Sequence, residues 1–147
     1  MIYMNDEIQA RIAREGESAY PEETCGFLIG VHQKGIFEVY DLYPVSNAQV
    51  GNARRRRYLI TPKDYLEAEA RAFRQGWEVV GTYHSHPDHP ARPSATDLAE
   101  ATFPDFAYVI VQITQGQAQA LTAWVLADDR SKFFPIPIVK VKPEEAL

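Results

Sequence analysis

The chain has 147 residues, 46% hydrophobic, 24% charged and 12% aromatic, enough for one domain with a substantial core. Its net charge of -5 argues against general nucleic-acid binding, because phosphate affinity needs a basic face. The single cysteine, Cys25, excludes an internal disulfide and suits a reducing compartment, the charges within residues 1–20 leave no signal-peptide apolar region there, and no run approaches the ~18 apolar residues of a membrane span. The expectation is a cytoplasmic, soluble protein with no membrane segment, one domain over residues 1–147 with its core at about 4–140 and a short polar C-terminal tail.

Residues 5–19 read as a helix, with Asn5 as N-cap and Asp6 and Glu7 in the first turn, where the helix dipole favours negative charge. Ile8, Ile12, Glu15 and Ala19 give it a narrow stripe that suits the surface of a sheet, and Pro21 stops it. Cys25 to Gly30 form a buried strand, and Gly35 turns it back into a hairpin partner, Ile36 to Tyr40. Residues 44–53 read as loop, and Arg54 to Arg57 precede a short strand, Tyr58 to Ile60. Thr61, Pro62 and Asp64 open a second helix as N-cap, first helical residue and capping-box partner, and Gly76 ends it. The apolar run Trp77 to Tyr83 is a strand. A third, short helix starts at Pro93 to Asp97 and closes at Pro104. Phe106 to Thr114 and Gln117 to Leu126 form a hairpin turned at Gln115 and Gly116, and a last extended piece runs from Phe133 to Val139. Pro135 and Pro137 push that piece to a sheet edge or off the sheet, and the tail from Lys142 is expected to fray. The order α-β-β-β-α-β-α-β-β-β reads as a single-domain α/β fold, helices against a central mixed sheet.

The residues with chemistry are concentrated between His84 and Asp97. If the strand from Trp77 continues to His86, His84 and His86 point to the same face, because side chains alternate with period two. Pro87, Pro90 and Pro93 end the ladder, and Asp97 returns as an oxygen donor. Two nitrogens and one carboxylate leave a fourth position open, the pattern of a catalytic zinc site. A plain helix cap competes for the same residues, with Ser94 accepting from the backbone and Asp97 reaching back. Asp97 cannot fully serve both the Ser94 N–H and a metal, whereas Ser94 can cap and still aim its hydroxyl into a site. A hydrolytic site also needs a base beside the attacking water. Glu22 and Glu23 are the candidates, and nothing in the composition or spacing brings either to His84.

The combination of Pro21-Glu22-Glu23-Thr24-Cys25-Gly26, His84-Ser85-His86-Pro87 and Pro93-Ser94-Ala95-Thr96-Asp97 resembles the JAMM (MPN+) family of zinc metalloproteases, in its short stand-alone prokaryotic form. That family's pattern is a distant Glu, then His-x-His, seven residues, Ser, two residues and Asp, and this sequence matches it without a gap. The resemblance covers about residues 4 to 126. It implies a cytidine-deaminase-like JAMM/MPN fold, Zn2+ held by His84, His86 and Asp97, Glu23 rather than Glu22 as the base, and Ser94 as donor to the oxyanion. It also implies hydrolysis of a peptide or isopeptide bond after the C-terminal Gly-Gly of a ubiquitin-like or sulfur-carrier protein.

Two other classes stay open: a non-catalytic MPN-type interaction module, opposed by the complete ligand set, and a RadC-like DNA-repair-associated protein, opposed by the acidic balance. His89 reads as a loop residue near the substrate rather than a third ligand, His32 as plain surface, and Cys25 as a small core residue rather than a nucleophile. Arg54 to Arg57 are either a solvated run or a patch for an acidic partner.

Overall fold

The computed structural model describes residues 1–143 and places their strands in one eight-stranded mixed sheet. The elements in chain order are β1 (Ile2–Tyr3), α1 (Asp6–Ala19), β2 (Cys25–Gln33), β3 (Ile36–Val45), α2 (Pro62–Arg74), β4 (Glu78–Pro87), α3 (Ala95–Glu100), β5 (Ala107–Thr114), β6 (Gln117–Leu126), β7 (Phe133–Ile136) and β8 (Ile138–Val139). The sheet order is β7-β6-β5-β4-β2-β3-β1-β8. The pairs β4–β5, β1–β3 and β1–β8 are parallel and the rest antiparallel. β7 and β8 are separated only by Pro137 yet occupy opposite ends of this order, so the sheet curls until its two edges meet the same segment.

The helices cover the two faces. Ile8 and Ile12 of α1 join Leu28, Val80, Tyr83, Val109, Val111 and Ile113 in one core cluster. Helical Gly16 permits that packing, because a Cβ there would come within 2.7 Å of Ile113. On the other face Ala68 and Ala72 of α2 pack with Phe27, Ile29, Phe106 and Tyr108. Asp41 on β3 ties the layers together, bonded to Arg11 of α1 at 3.1 Å and to Arg71 of α2 at 2.8 Å.

The expected caps are present. Asn5 Oδ1 accepts from the Ile8 N–H, and Thr61 and Asp64 form a reciprocal capping box. Four expectations need correction. Tyr58 to Ile60 form no strand, because Leu59 spends its backbone groups on Asn47 Oδ1 and the Ala48 N–H. Residues 44–53 are only partly loop: β3 runs through Val45, and Gly51–Arg55 form a 3-10 turn. α3 stops at Glu100, short of Pro104, because the Tyr108 hydroxyl takes the Phe103 N–H and the residue before a proline avoids helical geometry. Lys142, the expected start of fraying, is held 4.0 Å from Glu38 and over the Tyr40 ring, while the tail beyond residue 143 lies outside the described residues. The N-terminal strand β1 has too few residues to leave a periodic signal. Among the described residues no helix is long and apolar enough to cross a membrane.

Candidate metal centre

β4 carries the two histidines, and its alternation sets their direction. Tyr83 enters the α1 side of the core, where its hydroxyl donates to Glu15 at 2.6 Å, so His84 and His86 emerge on the α2–α3 side. They are 2% and 1% exposed, too dry to be ordinary surface histidines. Their Nε2 atoms lie 3.1 Å apart. Asp97 arrives from the first turn of α3, with Oδ1 3.3 Å from His84 Nε2 and Oδ2 3.0 Å from His86 Nε2.

Hydrogen bonding fixes which atoms hold lone pairs. His86 Nδ1 is 2.7 Å from the Pro90 carbonyl oxygen, which can only accept, so Nδ1 carries a proton. In the neutral ring Nε2 then turns a lone pair toward both His84 Nε2 and a carboxylate oxygen. Such a cluster needs a proton or a cation at its centre, and its nitrogen and oxygen donors fit a metal ion. Burial lowers the pKa of His84, opposed by its bonding with Asp97. Burial alone would raise the Asp97 carboxyl, but His84, His86 and the Ser94 N–H outweigh it and hold it well below the usual carboxylate range.

The cap and the histidine cluster share Asp97. Asp97 Oδ2 accepts from the Ser94 N–H at 2.8 Å while both of its oxygens face the histidines, and the Asp97 N–H donates to Ser94 Oγ at 3.0 Å. The cap therefore orients the carboxylate. Ser94 uses a lone pair for it and keeps its own proton free.

Glu23 reaches this site through the sheet. In the β2–β4 pairing Cys25 lies opposite His84, so the chain just before β2 runs alongside His86. The Thr24 N–H donates to Ser85 Oγ at 2.8 Å, the Glu23 N–H donates to the Arg54 carbonyl, and Asn47 donates to the Glu23 carbonyl. Glu23 is 2% exposed and its Oε1 has no hydrogen-bond partner, whereas Glu22 is half-buried. Burial first, and then the charges of Asp97 and Glu100, push the Glu23 carboxyl up to about 9. Glu23 rather than Glu22 is thus the carboxylate brought beside the histidines.

Three contributors were weakly marked or unmarked in the sequence. Tyr58 stacks on His84 with centroids 4.5 Å apart, and His89 stacks on His86 at 4.0 Å. Asn47 bonds the Glu23 and Arg57 carbonyls and the Leu59 N–H, knitting together the loops around the base. His89 offered the signal of a third histidine at short spacing, while Tyr58 and Asn47 offered none. Cys25 is buried and its thiol is pushed up to about 12 by burial, so it is a core residue and not a nucleophile. His32 stacks on Phe37, away from the site. The Arg54 backbone and side chain are engaged, while Arg55, Arg56 and Arg57 are exposed. A groove of about 910 Å³ is walled by Phe27, Tyr58, Tyr65, Phe103, Phe106 and Tyr108, and Tyr58 links it to His84, on which it stacks.

Comparison with known proteins gives this geometry a lineage. A desampylase from Haloferax volcanii is 36% identical over 99 residues, covering 67% of this chain and 68% of its own. A CysO-cysteine peptidase from Mycobacterium tuberculosis is 28% identical over 141 residues, covering 95% of this chain and 92% of its own. A protein from Salinibacter ruber, solved in solution, is 52% identical with a TM-score of 0.77, covering 100% of this chain and 95% of its own. The family described as prokaryotic homologs of the JAB domain matches residues 5–127. The chain therefore belongs to the prokaryotic branch of the JAMM/MPN family.

Proposed function

We propose that this protein is a cytoplasmic zinc-dependent peptidase that hydrolyses the peptide or isopeptide bond after the C-terminal Gly-Gly of a ubiquitin-like or sulfur-carrier protein. The observation that carries the reading is the convergence of His84 Nε2, His86 Nε2 and the Asp97 carboxylate beside a buried, unpartnered Glu23. Two imidazole nitrogens and one carboxylate suit zinc, and ligand nitrogens at tetrahedral angles about 2.0–2.1 Å from zinc would sit about 3.3 Å apart, close to the spacing here. The relatives' names, desampylase and CysO-cysteine peptidase, support the substrate class.

Held by His84, His86 and Asp97, zinc would polarise the scissile carbonyl and acidify an attacking water. Glu23 takes the water's proton and returns it to the leaving amine. Its dry surroundings raise its affinity for that proton above that of an ordinary carboxylate, and the positive charge of a bound zinc would bring it down toward the neutral pH at which a base works. Ser94, fixed by the cap, donates its free hydroxyl proton to the developing oxyanion. The aromatic groove receives the substrate chain beside His84. Exposed Arg55, Arg56 and Arg57, on the segment whose backbone holds Glu23, face an acidic carrier protein.

The test is incubation with Gly-Gly-ended carrier proteins bearing C-terminal extensions, with and without chelator, read by mass spectrometry. Cleavage directly after the second glycine, abolished by chelator, is expected, and His84→Ala and Asp97→Ala lose both metal and cleavage. Chelator-insensitive cleavage, or a purified protein that takes up no zinc, would sink the reading.

A further inference from the structure

Both nitrogens of His86 and both oxygens of Asp97 are committed to the centre just described, but two donor groups at its rim are not. Glu23 Oε1 is buried with no partner. His89 lies over His86 with the rings 21° from parallel. Donor atoms of Glu23, His86 and His89 lie within 4.8 Å of one another, a grouping that shares His86 with that of His84, His86 and Asp97 but adds Glu23 and His89.

The loop that carries His89 is pinned on both sides. The Asp88 N–H donates to the Ile113 carbonyl at 2.7 Å, and Asp88 Oδ1 accepts from the Gln115 N–H at 2.7 Å. The Thr122 hydroxyl donates to the Ala91 carbonyl at 2.6 Å. His89 Nδ1 donates to the Pro87 carbonyl at 2.8 Å, which in the neutral ring leaves Nε2 with its lone pair free.

We propose that Glu23 and His89 form a second, weaker position for a zinc-like divalent cation beside the first, and that filling it takes the base out of use. The inference rests on the zinc-peptidase reading of the first centre. One imidazole nitrogen and one carboxylate oxygen are good donors for such a cation. His86 has no nitrogen left to give, so solvent completes the second shell of donors. The second ion therefore binds only after the first and only in excess. Excess zinc becomes an inhibitor acting through the base, while the first ion remains in place.

Native mass spectrometry of the metal-free protein titrated with zinc ions tests this directly. Wild type is expected to take two equivalents in sequence. His89→Phe, which keeps an aromatic ring over His86 but offers no donor, and Glu23→Gln are each expected to take one. Hydrolysis by wild type should fall on going from one equivalent to excess zinc, with the inhibiting concentration about tenfold higher or more in His89→Phe. Wild type stopping at one equivalent would overturn the second position and leave the first intact, whereas uptake of none would overturn the first. Two equivalents in His89→Phe would also refute the proposal, and His89→Ala gives the same readout should the phenylalanine variant fail to fold.

Discussion

Glu23 sets chemistry against stability within one side chain. It is buried without a partner and its pKa is raised to about 9, so the metal-free fold holds it protonated while the unfolded chain ionises it near 4.5. A raised carboxyl stabilises the fold relative to the ionised state only below its unfolded pKa, and that contribution is lost as pH rises toward the folded value. The metal-free protein should therefore lose up to roughly 1.4 kcal/mol per pH unit from this group between about pH 4.5 and 9. Glu23→Gln removes the titration. In urea unfolding of the metal-free proteins, the variant's advantage should widen between pH 6 and pH 8.5, and a constant difference would contradict the burial argument. With zinc bound, the same variant should keep the metal and lose about 10²–10⁴-fold in hydrolysis, because the base is not a ligand. His84, His86, Ser94 and Asp97 are legible from sequence because they share one short stretch with fixed offsets. Glu23 is legible only through family resemblance, since strand pairing, which leaves no local mark, brings it to His86.

At the scale of the element, β4 is the scaffold of the site, and its position depends on a close approach. The β2–β4 register slips between Leu28 and Ile29, leaving Val80 as an extra residue just before Gly81. Gly81 pairs with Leu28 on one side and Ala107 on the other, and a Cβ there would collide with the Ala107 carbonyl. Gly81→Ala should thus force β4 and β5 apart, destabilising the fold by about 1–3 kcal/mol. His84 and His86 lie on the same strand, so zinc affinity measured by chelator competition should drop with stability. Gly76→Ala is the control: at φ +79° with open space around it, it strains the backbone but should leave zinc affinity unchanged. Helix caps and strand periods are local, which is why α1, α2 and the β5–β6 hairpin are readable from sequence. The Tyr58–Ile60 segment misleads because its composition suits a strand, while Asn47 removes the hydrogen bonds a strand would need.

For the molecule as a whole, the decisive feature is that a single terminal segment covers both edges of the sheet. β7 pairs Phe133 to Ile136 with Leu126 to Ala123, while β8 sets Ile138 and Val139 beside Ile2 and Tyr3. The Ile2 and Met4 N–H groups donate to the Pro137 and Val139 carbonyls at 2.9 and 3.0 Å, and Ile136 and Ile138 both pack on the α1-side core. From sequence, Pro135 and Pro137 indicate an edge but not that two edges share one segment, since that depends on the curl of the whole sheet. Removing residues from Ser131 onward would bare the β6 edge and the β1 edge together and unroof Ile2 and Met4, both 0% exposed. Unpaired edges invite pairing between molecules. The truncated chain should melt at a markedly lower temperature and elute as larger species in size-exclusion chromatography with light scattering. A monomer with wild-type melting would mean that the closure contributes little. The metal ligands sit on β4, in the middle of the strand order, and on α3, which follows it, so the fraction that stays folded should still bind zinc with the affinity of the full chain. A loss of affinity in that folded fraction would instead mean that closing the edges also sets the geometry at the centre.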